Sequence, residues 1–256
     1  MPSSQNSKRA LPKGPPALGE LTPRLVQRNY ILASLQGRDL ASVLKEGQAV
    51  DLPVRHVIYG ANQPITEAIF PIDAVLSVVT TMREGGAIEV GTIGCEGTSA
   101  LPIILGAHTT ANECYCQVPG TGIQISGDLF RHLRETNTTF AAHLDRYLQG
   151  YVNFLGQLAG CNRLHHINQR CARWLLLTHD RVARDDILLT QEYLAMMLGS
   201  SRSGVTLALA ALQHAKLIRY ARGHITILDH QGLEAVSCEC YGVAKEQFGG
   251  LLRSVY

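Results

Sequence analysis

Arg202 is the only charged side chain in MLGSSRSGVT, residues 197–206, a polar interruption between two stretches whose apolar residues recur at helical spacing. A guanidinium carried on the first turn of a helix can donate two parallel hydrogen bonds to guanine O6 and N7, a contact worth roughly 1–3 kcal/mol of discrimination between bases. Ser203 and Thr206 share its outward face, and their hydroxyls suit base edges or phosphate oxygens. The flanking residues supply the frame. Thr190 reads as an N-cap, and Leu194, Met197 and Leu198 as the buried face of a first helix. Gly199 reads as the residue past its C-terminus, Ser200 or Ser201 as the next cap, and Val205, Leu209 and Leu212 as the inward face of the second helix. Two helices joined by a short glycine-containing turn form a helix-turn-helix, whose second helix enters the DNA major groove. An ordinary helical hairpin with a solvated arginine has the same pattern. The stretch that follows, RYARGHITILD, decides between them, because alternation around Gly223 makes a hairpin whose Arg219, Arg222 and His224 suit backbone phosphates.

The remaining reactive side chains form no comparable set. Seven cysteines, Cys95, Cys114, Cys116, Cys161, Cys171, Cys238 and Cys240, are odd in number and scattered. No secretory apolar run precedes them, so a reduced cytoplasm is expected rather than a disulfide framework. Cys114-x-Cys116 falls on one face of a strand and Cys238-x-Cys240 is a second close pair, but neither has the spacing of a zinc knuckle. Both pairs read as small buried apolar groups, and no metal or cofactor is assigned. His56 and His108 stand alone, and His165-His166 reads as helix surface. No nucleophile with a base, phosphate loop or carboxylate pair is found, so no catalysis is expected. The competing reading is a metal-dependent enzyme on a cupin-like barrel with a helical assembly domain.

A chain of 256 residues that is 46% hydrophobic can bury two modest cores, and none of its apolar runs approaches the ~18–20 residues that span a bilayer. The net charge of +2 says little, but its distribution says more. No lysine or arginine lies between Glu84 and Phe130, whereas Arg163, Arg170, Arg173, Arg181, Arg184, Arg202, Lys216, Arg219 and Arg222 follow in the second half, where an anionic partner would be met.

These residues need elements to hold them. Residues 1–20, rich in proline, serine and glycine, read as a disordered tail. Residues 21–136 begin with a helical pattern and continue as short β-rich pieces broken by Gly60, Pro64, Gly85-Gly86 and Pro119-Gly120, as in an antiparallel barrel. Residues 137–161 lack proline, and Phe140, Leu144, Tyr147, Tyr151, Phe154 and Leu158 recur at alternating steps of four and three. A plain amphipathic helix packed on its own barrel has this pattern, but the narrow aromatic seam favours a paired helix and hence a homodimer. Residues 162–256 form the third unit, with three helices and the hairpin.

The order of the β-domain, the long helix, CARWLLLTHD, LLTQEYLAMMLGSSRSGVTLALAALQHAKLIRYARGHITILD and LEAVSCECY resembles the Crp/Fnr family of bacterial transcription regulators. The resemblance covers nearly everything after the tail. It implies an α+β chain with a cyclic-nucleotide-binding-like jelly-roll barrel, a long dimerisation helix and a C-terminal winged helix-turn-helix. It implies a homodimer on an inverted repeat of double-stranded DNA, with RNA polymerase as a partner and no membrane. Arg202, Ser203, Thr206 and Leu207 take base-reading positions by this resemblance, and Thr190, Ser201, Arg219, Arg222 and His224 phosphate-contacting ones. Ser203 and Leu207 stand where several members carry glutamate and a second arginine, so a different operator is expected. Glu96, Gly97 and Thr98 lie near the effector pocket of the nucleotide-binding members, but the arginine that holds the cyclic phosphate is missing. With no cation nearby in sequence to replace it, the effector is left unknown and cyclic AMP is disfavoured.

Overall fold

The structure, a computed structural model, describes residues 17–252; residues 1–16, most of the expected tail, lie outside the described residues. The last part of that expectation is corrected, because Ala17–Gly19 forms a strand, β1, paired with the edge of a sheet. Helices α1 (Pro23–Val26) and α2 (Gly37–Glu46) follow, and then strands β2 (Gln48–Leu52), β3 (Val57–Tyr59), β4 (Glu67–Pro71), β5 (Val75–Thr81) and β6 (Ala87–Ile93). A short helix α3 (Leu101–Ile104) precedes β7 (Glu113–Val118) and β8 (Gly120–Ser126).

These strands make two four-stranded antiparallel sheets, β1-β2-β8-β4 and β3-β7-β5-β6. Among the described residues no ladder joins the two sheets, so the barrel is an open jelly-roll sandwich. Strand β5 departs from the alternation expected of a half-solvated strand. Its first five residues, VLSVV, are all buried. One face meets the sandwich core and the other, which carries Ser77, is covered by the C-terminal half of the chain.

Helix α4 (Gly127–Thr136) leads into α5 (Thr138–Leu164), a 27-residue helix whose first turn is capped by the Asn137 carboxamide accepting from the Phe140 N–H at 2.8 Å. The stripe expected to be a dimer seam is turned the other way. Phe140, Leu144, Tyr147, Tyr151 and Phe154 are buried within their own chain, and Leu158 packs at the margin of the same core. The reason lies opposite the helix: the bare backbones of Gly91 and Gly97 make room for the Tyr151 and Tyr147 rings, where a Cβ would lie 2.3 Å from either phenolic oxygen. The bland alternative, a helix packed on its own sensor domain, is the arrangement found.

Only His165 and His166 separate α5 from α6 (Ile167–Val182). Helix α6 is buried on nearly every side, Arg170, Arg173 and Arg181 included, because it is wedged between the sandwich and the remainder of the C-terminal half. That remainder comprises β9 (Asp186–Leu188), α7 (Gln191–Met197), α8 (Arg202–His214), β10 (Ile218–Ala221), β11 (His224–Ile227), α9 (His230–Val236) and α10 (Cys240–Leu252). Helix α10 returns to pack on α5 and α6, with Phe248 against Tyr147 and Phe154. No single helix among the described residues is long and apolar enough to cross a membrane.

Candidate nucleic-acid interface

Helices α7 and α8 meet at 107°, within the range of a helix-turn-helix. The turn is built as its residues dictate. Gly199 adopts φ +53°, its N–H donates to Met196 O, and the Ser200 N–H donates to Ala195 O, which closes α7 in a Schellman motif. Thr190 Oγ1 caps α7 by accepting from the Tyr193 N–H at 3.2 Å, and Ser201 Oγ caps α8 by accepting from the Gly204 N–H at 3.1 Å. The Ser201 hydroxyl also lies 3.1 Å from the Ser203 hydroxyl. Gly204 is the third residue of α8, and a Cβ there would lie 3.2 Å from the hydroxyls of both Ser200 and Ser201.

On α8, Val205, Leu209 and Leu212 face the core while Arg202, Ser203, Thr206 and Leu207 are exposed together on the opposite face. Leu207 is 71% exposed, an apolar side chain offered to solvent one turn beyond the arginine. Such a group suits a thymine methyl. Thr206 Oγ1 is engaged internally, with Gln191 Oε1 at 2.8 Å and Arg202 O at 2.9 Å.

The wing is a three-stranded sheet in the order β10-β11-β9. Its hairpin turns through Arg222 and Gly223 alone, both at positive φ (52° and 81°), the two-residue geometry that matches strand twist. Arg219 donates to Thr226 Oγ1 at 3.5 Å, and His224 pairs with Asp186 at 2.8 Å, so Arg222 is the wing cation without a recorded partner.

The residues expected near an effector pocket are engaged within the chain. Glu96, Gly97 and Thr98 are buried and consumed by internal contacts: Gly97 lies under Tyr147 and its carbonyl accepts from Asn29, while the Thr98 hydroxyl donates to Ile69 O. The missing cation comes from 85 residues away, where Arg181 of α6 donates to Glu96 at 2.7 Å and to Thr92 Oγ1 at 2.6 Å. Burial works against the Arg181 charge, but Glu96 outweighs it and holds the guanidinium pKa above its ordinary value. The ring faces of Phe154 and Phe248 lie 5.9 Å from the same guanidinium. Gly97 and Thr98 are thus covered by the chain's own side chains, while Glu96 and Arg181 line an open cavity with Tyr30, Cys95, Asp180 and Phe248.

Sequence reasoning missed the interface that Arg181 belongs to. Trp174 of α6 donates to Glu89 Oε1 at 3.2 Å, and Ser77 of β5 donates to Glu89 Oε2 at 2.7 Å. Gly199 of the helix-turn-helix turn sits on Ile88, and Tyr193 packs on Tyr115. Arg184 donates to Pro119 O. Helix α7 is therefore seated on the sandwich of its own chain. A second miss is Cys161, His165, Cys238 and Cys240, read separately as apolar filler and helix surface but gathered here in one cluster.

Residues 169–236 match the family described as Crp-like helix-turn-helix domain. No curated protein sequence matches the chain. Among solved structures, a Crp/Fnr-family transcriptional regulator from Eubacterium rectale aligns at 19% identity over 81% of this chain and 98% of its own, with a TM-score of 0.61. FixK2 from Bradyrhizobium japonicum aligns at 13% identity over 75% of this chain and 98% of its own, with a TM-score of 0.64. A CRP-family transcriptional regulator from Thermus thermophilus aligns at 17% identity over 73% and 95%, with a TM-score of 0.61. The chain carries a Crp-like helix-turn-helix domain and has the fold of the Crp/Fnr-family transcription regulators.

Proposed function

We propose that the chain is a sequence-specific DNA-binding transcription regulator that docks α8 in the major groove, with Arg202, Ser203, Thr206 and Leu207 toward the bases. Thr190, Ser201, Arg219, Arg222 and His224 hold the phosphates. The observation that carries this reading is the exposed α8 face, an arginine, two hydroxyls and a bare leucine at the start of the second helix of a capped helix-turn-helix. Residues 21–136 serve as the sensor domain, 137–161 as the dimerisation helix and 162–256 as the DNA-binding unit. No catalysis is invoked.

The test is selection of bound sequences from random duplex DNA, with Arg202→Ala in parallel. The expected result is an enriched two-fold repeat for the natural chain and roughly a 10- to 100-fold loss of preference at one base pair for the variant, with weak salt-dependent binding intact. Unchanged preference in Arg202→Ala removes this residue from base reading.

Dimerisation is assigned to the outer face of α5, since the aromatic stripe is committed inward. Val152 and Leu105 are 54% and 68% exposed and line one apolar groove with Leu148 and Leu155. Val152→Glu is expected to convert dimers to monomers in sedimentation without unfolding the chain, whereas Tyr151→Glu would unfold it. A Val152→Glu protein that still sediments as a dimer refutes the assignment.

A further inference from the structure

The cluster at the end of α5 has no part in reading DNA. Cys161 lies in the last turn of α5 and His165 is the residue that follows its end, while Cys238 and Cys240 flank Glu239 where α9 passes into α10. Their four donor atoms lie within 4.8 Å of one another. Cys161 Sγ and Cys238 Sγ are 3.6 Å apart, and Cys240 Sγ is 3.5 Å from His165 Nδ1. A tetrahedral zinc with Zn–S near 2.3 Å and Zn–N near 2.0 Å sets its ligand atoms about 3.5–3.8 Å apart. Both measured edges match that spacing.

Three further features fit a metal. His165 turns Nδ1 to the cluster while its Nε2 lies 3.1 Å from Glu239 Oε2, the carboxylate–histidine arrangement that fixes the tautomer of a ligating imidazole. Gln157 Nε2 donates to Cys240 Sγ at 3.0 Å, as second-layer amides do to ligating thiolates. Three thiolates and a neutral imidazole around a divalent ion carry a net charge of −1, which in a buried place calls for a cation. Arg173 lies close enough to Cys161 and Cys238 to favour their thiolates, and this buried guanidinium has Nε and Nη1 without hydrogen-bond partners among the described residues.

We propose that Cys161, His165, Cys238 and Cys240 bind one Zn2+ per chain, releasing three thiol protons as they do so. The ion fastens the α9–α10 loop to the last turn of α5, immediately before the two-residue joint to α6. It thereby holds α10 over Arg181 and Phe154. This inference stands whether or not the DNA-reading assignment holds.

The test takes the full-length chain purified anaerobically without chelator, measures its metal content, and then exchanges Co2+ for the native ion. One equivalent of zinc is expected, together with thiolate-to-cobalt charge transfer and the intense visible bands of tetrahedral cobalt. Cys238→Ser and Cys240→Ser lose both signals to background, while Cys171→Ser, whose thiol is buried elsewhere in α6, keeps them. His165→Cys retains the ion with a spectrum shifted toward all-sulfur ligation, which separates lost ligation from lost folding. The proposal is overturned by zinc that stays sub-stoichiometric even after titration with zinc chloride, by zinc retained in Cys238→Ser, or by a Cys161–Cys238 disulfide in the anaerobic protein.

Discussion

Arg181→Ala is expected to lower the unfolding free energy by about 3–5 kcal/mol, a Tm drop on the order of 10 °C for a chain of this size. The loss is large because Glu96 stays where it is. Both side chains of the pair are 6% exposed, so removing the guanidinium leaves a carboxylate in the core with only the Gly94 N–H still donating to it. One comparison separates this cause from a simple cavity. Arg181→Met combined with Glu96→Gln should recover most of the stability, because neither partner is then charged. Thermal unfolding of both variants checks this, and a single-variant loss under about 1 kcal/mol would mean that the pair carries no weight.

The second large effect is pH-dependent and belongs to Glu89. Burial raises its pKa from 4.5 to about 7, against the opposing pull of Ser77, Trp174, Arg173 and Arg181. The folded chain therefore keeps a proton between about pH 4.5 and 7 that the unfolded chain has released. Stability falls as pH rises through that window, and above it the full cost of about 3 kcal/mol is present. Glu89→Gln, neutral throughout, should lose this component of the pH slope and be more stable than the natural chain at pH 8. Calorimetry between pH 5 and 8 measures it. Equal slopes in the two proteins would show that Glu89 is ionised or solvated when folded.

The helix-turn-helix was legible because its signals are local. A capping threonine, a left-handed glycine, a capping serine and an apolar face at 3.6-residue period all fall between Thr190 and Leu212. The wing is equally local, since Arg222-Gly223 closes its own hairpin. The fate of the α5 stripe was not legible, because a seam facing a partner and a face packed on the same chain have one periodicity. What decides between them is Gly91 and Gly97, which reveal nothing in sequence about the rings they admit. The Arg181–Glu96 pair and the thiol cluster share this limit, joining residues 85 and 77 positions apart through the tertiary fold alone.

The brevity of the joint between α5 and α6 has a kinematic consequence. Two residues reach at most about 7 Å, so the DNA-binding unit cannot drift from the end of α5. A swing about the pivot at His165-His166 would first have to break the seating of α7 on the sandwich and of α10 on α5. In a dimer paired through α5, the separation of the two recognition helices is then fixed by where those pivots stand, and the length of the operator spacer is set by a lever arm instead of by slack in a tether.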